Sequence, residues 1–200
     1  MIINDRLISS FALQGNMIEP FVGNQVRFKL IDGNKIGVIS YGLGSYGYDI
    51  RLSKSEFYIY EASEGYVDPK AFDKGKLLRK IEISQDENGF FFEIPGNCGG
   101  VGVALEKLKM PENITALGFG KSTYTRSGLF ANIPPIEAGW EGHLTLSFTN
   151  TNKVPVRIYA DEGVAQLVFF EGESCTIAYG DRDGGGKYQG QGEEVTISKV

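Results

Sequence analysis

The chain has 200 residues, 42% of them hydrophobic, and 20 Lys and Arg against 25 Asp and Glu give a formal net charge of −5. That balance argues against a general nucleic-acid binder, which carries a basic excess, and no apolar run approaches the ~20 residues that span a bilayer. With 13 Phe, 10 Tyr and 27 Gly, short strands and turns are favoured over long helices. The opening MIINDRLISS has no basic region followed by an apolar stretch, so it does not read as a signal peptide. The expectation is one cytoplasmic domain over residues 1–200. Cys98 and Cys175 read as small, buried or half-buried residues rather than a disulfide. His143 is the only histidine, and no H-x-E pattern pairs with P-C-x-x-C, so the zinc-deaminase signature is missing.

In chain order, Asn4 or Asp5 caps a short helix carrying Leu7, Ile8 and Phe11, with Gly15 as its stop. Pro20 keeps Met17–Phe21 extended. Gly33-Asn34 and Gly37 predict a hairpin within residues 22–40. In Ser40–Leu52, Tyr48, Ile50 and Leu52 alternate with Asp49 and Arg51, which predicts a strand with one charged face, solvated in the plainer reading and paired with neighbouring side chains in the other. Glu56–Tyr60 reads as the next strand. Asp68-Pro69 starts a turn, and residues 70–90 read as a charged, mobile excursion. Further strands are expected at Gly89–Ile94, Val101–Leu105, Ile114–Phe119, Val154–Tyr159 and Val164–Phe170, with Thr176–Tyr179 as the last core strand. Strands recurring every ~8 to 12 residues, with turn signals between them, point to an all-β barrel or sandwich.

Gly120–Asn150 carries the densest chemistry. Lys121, Ser122 and Thr123, followed by Arg126, offer a cation, hydroxyls and a guanidinium fork suited to a phosphate. Glu137, in a Gly-flanked turn, is a carboxylate able to activate water, and an alternating strand runs from His143 to Thr149. The same spacing fits a hairpin whose polar turn faces solvent, and spacing alone does not separate the two. The Gly-rich tail, with Lys187, Tyr188, Gln189 and Gln191, is either a free end or an arm that closes over a ligand and excludes water.

Taken together, these segments resemble the dCTP deaminase branch of the dCTP deaminase/dUTPase superfamily. SYGYDIR at 45–51, GKSTYTRSG at 120–128, IEAGWEG at 136–142, YADEGVAQLVFF at 159–170 and GGGKYQGQ at 184–191 match its segments in order. The resemblance implies a distorted β-barrel with a short N-terminal helix and a flexible Gly-rich arm over 180–200. It implies a homotrimer with sites between subunits, and a pyrimidine deoxynucleoside triphosphate substrate carrying Mg²⁺ on its phosphates. Carried over by motif, Ser122, Thr123 and Arg126 would hold phosphates, with Lys121 as the basic residue before them. Lys187, Tyr188 and Gln191 would close on the triphosphate. Gln166 would lie near the nucleotide, and the backbone around Ile133 and Pro135 would read the base.

One position departs from the pattern. The deaminases carry a glutamate in an L-E-F-x-N strand, and here Leu146-Ser147-Phe148-Thr149-Asn150 puts Ser147 in its place. That carboxylate shuttles a proton both ways, and losing a general acid/base costs typically ~10²–10⁴-fold. The expectation therefore leans to dUTPase-like hydrolysis to monophosphate and diphosphate, with Glu137 as base and Arg126 and Ser147 in the catalytic set. Deamination of dCTP with a rearranged proton shuttle is the alternative; a non-catalytic nucleotide binder, or an enzyme for a modified pyrimidine, is the third. His143 shares a strand face with Ser147 but lies ~13 Å away at ~3.3 Å per residue, too far to replace the missing base.

Overall fold

The computed structural model describes residues 1–31, 33–61 and 65–199. Helix α1 (Asp5–Gly15) begins where Asn4 accepts the Leu7 N–H at 3.2 Å, and it turns Ile8 and Ala12 into the core. Gly15 is still helical; the left-handed stop is Asn16, at φ 54°. After β1 (Ile18–Glu19), strands β2 (Gln25–Ile31) and β3 (Asn34–Gly44) form the expected hairpin. β4 (Gly47–Tyr60) is a single strand where the sequence pointed to two.

The stretch read as a mobile excursion is instead built of α2 (Lys74–Leu77), β5 (Leu78–Ile81) and β6 (Ser84–Asp86). Asp73 caps α2 by accepting the Gly75 and Lys76 N–H groups, and β5 pairs with β4 from Phe57↔Ile81 to Tyr60↔Leu78. There follow β7 (Gly89–Ile94), β8 (Gly99–Lys109), β9 (Ile114–Gly120), α3 (Ser122–Arg126), β10 (Leu129–Asn132), β11 (Glu141–Asn150), β12 (Val156–Tyr159) and β13 (Gly163–Glu171). Thr176–Tyr179 is not a strand. The N–H groups of Cys175 and Tyr179 bond the loop carbonyls of Glu112 and Ala138, and Tyr179–Asp181 form a 3₁₀ turn.

One large sheet runs β10-β11-β8-β4-β13-β9, with β1 on β8, β5 on β4, and the β2–β3 hairpin joined through β3 to β4. A second sheet, β12-β7-β6, packs against β13 and β4, making a mostly-β, distorted barrel. Phe57 is the hinge of the core, stacked on Phe92 at 5.1 Å and on Phe148 at 5.9 Å. Gly102 of β8 makes room for that ring, since a Cβ there would sit 2.6 Å from it.

The face of β4 expected to meet water is buried. Asp49, 1% exposed, pairs with Lys121 and accepts the Gln25 amide at 3.1 Å. Arg51 binds Glu106 at 2.7 Å through Nε and lies 4.8 Å above the Tyr41 ring. Buried charges require partners. Here the partners come from β2, β3, β8 and the residue before α3, all remote in sequence.

Candidate functional site

A cavity of about 980 Å³ opens between the outer face of β11, the turn after β10, and the C-terminal arm. β11 contributes Thr145 and Ser147, because alternate residues of a strand share a face. The turn is fixed at Ile136, which exchanges two backbone hydrogen bonds with Ala116 of β9, at 2.8 and 2.9 Å. It ends on Gly139, at φ 78°, where a Cβ would strike Ala178 at 2.6 Å. Between these points, Glu137 and Trp140 face the cavity.

The arm crosses this opening and is tied down by its backbone and by the Gln189 amide, which accepts the Glu141 N–H and donates to the Gly139 carbonyl, each at 3.1 Å. The Trp140 indole N–H donates to the Tyr188 carbonyl at 2.8 Å. The Gly190 N–H donates to Glu141 at 2.8 Å, and the His143 N–H to Gln191 at 2.9 Å. Gly142, at φ 147°, admits that close approach, as a Cβ there would lie 2.7 Å from the Gln191 nitrogen. Beyond it the Thr196 N–H donates to Thr145 Oγ1 at 3.0 Å, Ser53 donates to Glu193, and Val195 is buried with Leu78 and Val101. Residue 200, the last of the expected arm, lies outside the described residues.

Six residues expected in the site line this cavity: Pro135, Glu137, Ser147, Lys187, Tyr188 and Gln191. Ile133 is buried behind it against Gly118. The phosphate-binding candidates are elsewhere in the chain. Ser122, Thr123 and Arg126 are exposed on α3, while Lys121 is held by Asp49. Thr123 borders a separate cavity of about 450 Å³ with Arg27 and Ser40. Gln166 is exposed on β13, opposite Asp49 and Phe119.

The structure adds residues that the sequence did not single out. Arg182 grips Glu137 with both guanidinium nitrogens, Nη1 at 3.1 Å from Oε1 and Nη2 on Oε2, so the proposed base is not a free carboxylate. Asp183 and Thr145 also face the cavity. Tyr60 reaches across the bare backbone of Gly99, where a Cβ would meet its ring at 2.9 Å. Burial pushes its phenol above the usual tyrosine range, opposed by the nearby Ser147 hydroxyl. His143 Nδ1 is engaged by the Ala104 carbonyl at 3.1 Å, and both cysteines are free and half-buried. Among the described residues no cluster of three His, Cys, Asp or Glu side chains is placed to hold a metal ion.

Comparison with known proteins bears on the family and the fold. A family described as dCTP deaminase-like matches residues 18–172. The chain is 45% identical over 199 residues to the dCTP deaminase of Acinetobacter baumannii strain AYE, with 98% of each covered. The dCTP deaminases of Alcanivorax borkumensis and Paraburkholderia phymatum are similar to the same extent, 45% over 199 residues. Among solved structures, the 2′-deoxycytidine 5′-triphosphate deaminase of Agrobacterium tumefaciens superposes with a TM-score of 0.59 at 18% identity. That match covers 86% of this chain and 48% of the other, and it shows a shared fold. A family match across the barrel strands, and identity that continues through the arm, establish that the chain belongs to the dCTP deaminase-like family.

Proposed function

We propose that this chain binds a pyrimidine deoxynucleoside triphosphate in the cavity beneath its arm and acts on the base, removing the cytosine amino group of dCTP by hydrolysis. The observation that carries this over diphosphate release is 45% identity, over 98% of both chains, to a relative named dCTP deaminase. Glu137, the base that diphosphate release would use, is held by Arg182 in the resting protein. The curated relatives named dCTP deaminase support the same choice. The reaction adds water at C4 of the base and expels ammonia. Ser147, which faces the cavity, stands at the sequence position where the family's glutamate would move those protons. A hydroxyl is a poor shuttle, so turnover is slow, by ~10²–10⁴-fold against a carboxylate.

The cavity of one chain holds two cations, Arg182 and Lys187, against two carboxylates, Glu137 and Asp183. A triphosphate needs more positive charge than that. The exposed α3 set, Ser122, Thr123 and Arg126, would supply it from a second copy in a homotrimer. Leu117, Phe119 and Phe130, 38%, 53% and 46% exposed on β9 and β10, provide apolar surface for such an interface. Mg²⁺ would arrive on the substrate's phosphates, where it offsets their charge. A deoxynucleotide substrate puts this work in the cytoplasm.

The test is a product assay. The protein is incubated with Mg²⁺ and, separately, dCTP and dUTP, and the nucleotides are resolved by ion exchange. Slow formation of dUTP from dCTP is expected. Appearance of dCMP or dUMP with diphosphate would overturn the reading.

A further inference from the structure

We propose that Arg182 exchanges Glu137 for the substrate's phosphates, so that Glu137 is the resting counter-ion of the arm and sets how tightly nucleotide binds. This rests on the nucleotide reading above. A guanidinium fork fits a phosphate as well as it fits a carboxylate, and Arg182 already faces the cavity. The pair is accessible to a ligand, with side chains 47% and 43% exposed, and exposed ion pairs are weak. Arg182 is also coupled to closure. Its guanidinium lies 4.9 Å above the Tyr179 ring, whose hydroxyl accepts the Tyr188 N–H at 3.2 Å. Tyr188 is the residue that Trp140 holds by its carbonyl. Just beyond Arg182, Gly184 and Gly185 are left-handed, at φ 80° and 75°, with nothing within 4 Å of where a Cβ would lie. That open pair of glycines leaves room beside the turn that follows Arg182. Lys187 makes no ion pair among the described residues, so Arg182 is the cavity cation whose availability is conditional. A ligand must displace Glu137, and that competition lowers its apparent affinity.

Trp140 is the only tryptophan in the chain and reports on arm docking directly. Its emission is titrated with dCTP and with inorganic tripolyphosphate, using the full chain. Melting curves first establish that each variant is folded. Arg182→Ala is expected to weaken both ligands by about tenfold or more, the size of lost charge-assisted hydrogen bonds. Glu137→Gln is expected to tighten both by about two- to fivefold, because the competing partner is gone. The double variant should match Arg182→Ala alone, since the two act as a unit. If the pair merely fastens the arm, Glu137→Gln weakens binding instead, and the proposal falls. Wild-type binding with no change in Arg182→Ala overturns this inference and leaves the nucleotide reading standing. A wild type that answers neither ligand overturns both.

Discussion

Ser147 sits opposite Asn132 of β10 and Val101 of β8, on the wall of the cavity. Restoring a carboxylate there puts a proton shuttle where the base is expected. Ser147→Glu should therefore raise the rate of dUTP formation from dCTP by at least ~10²-fold, read by ammonia release; an unchanged rate would place the chemistry elsewhere. Glu162 offers a separate prediction about pH. It is 4% exposed, and burial raises its carboxyl above the usual range, opposed by the Ile39 N–H and by Lys29. A raised folded value means the native state holds the proton more tightly than the unfolded chain does. The stability this contributes is full below the ordinary carboxylate value of ~4.3 and is lost as pH rises through the folded value. Glu162→Gln keeps an acceptor for Ile39 and cannot titrate. The melting temperature of wild type minus that of the variant should fall as pH rises from 4 to 8; a flat difference would contradict the shift. At this scale Ser147 was legible in the sequence, because a motif set out what the position should hold. Asp49 and Arg51 were not, since strand alternation gives a side chain's face without saying what covers it.

Elements show the same division. Gly89–Ile94 was legible residue for residue, and β9 and β13 nearly so, since apolar runs bounded by turn residues fix a strand locally. α3 was hidden. Its five residues, Ser-Thr-Tyr-Thr-Arg, include two β-branched threonines, and Lys121 at its start makes no side-chain cap bond. It holds through Tyr124, which is buried and accepts the Tyr159 N–H at 2.8 Å. The arm was legible as an arm, but its seat was not, because its partners, among them backbone groups of Glu141 and His143, are remote in sequence. Gly142 should decide whether it stays seated. Gly142→Val puts a branched side chain where Gln191 lies and at a φ that L residues rarely adopt. Its Trp140 emission should shift to the red, and the arm should be cut by protease well before the barrel is. Emission and cleavage unchanged from wild type would mean that the arm's side chains, not its backbone, hold it.

For the molecule as a whole, the two halves of the expected site lie apart in one chain, the α3 hydroxyls and Arg126 in one place and Ser147 with the arm in another. If copies complete one another, mixing two defective proteins should repair them. Arg126→Ala and Gly142→Val should each bind dCTP poorly, and co-refolded mixtures should recover a part of the binding that neither shows alone. A monomeric mass in solution, with Arg126→Ala binding as wild type does, would exclude shared sites. The family resemblance made the barrel and the arm foreseeable at this scale, while Arg182 came into view only when the turn and the tail were brought together. The manner of the arm's seating has a consequence for descent. Main-chain groups make many of its attachments, and every amino acid except proline supplies an N–H and a carbonyl alike. Its side chains are thus freer to drift, and a lineage can retune which nucleotide it accepts, residue by residue, while inheriting the same closure.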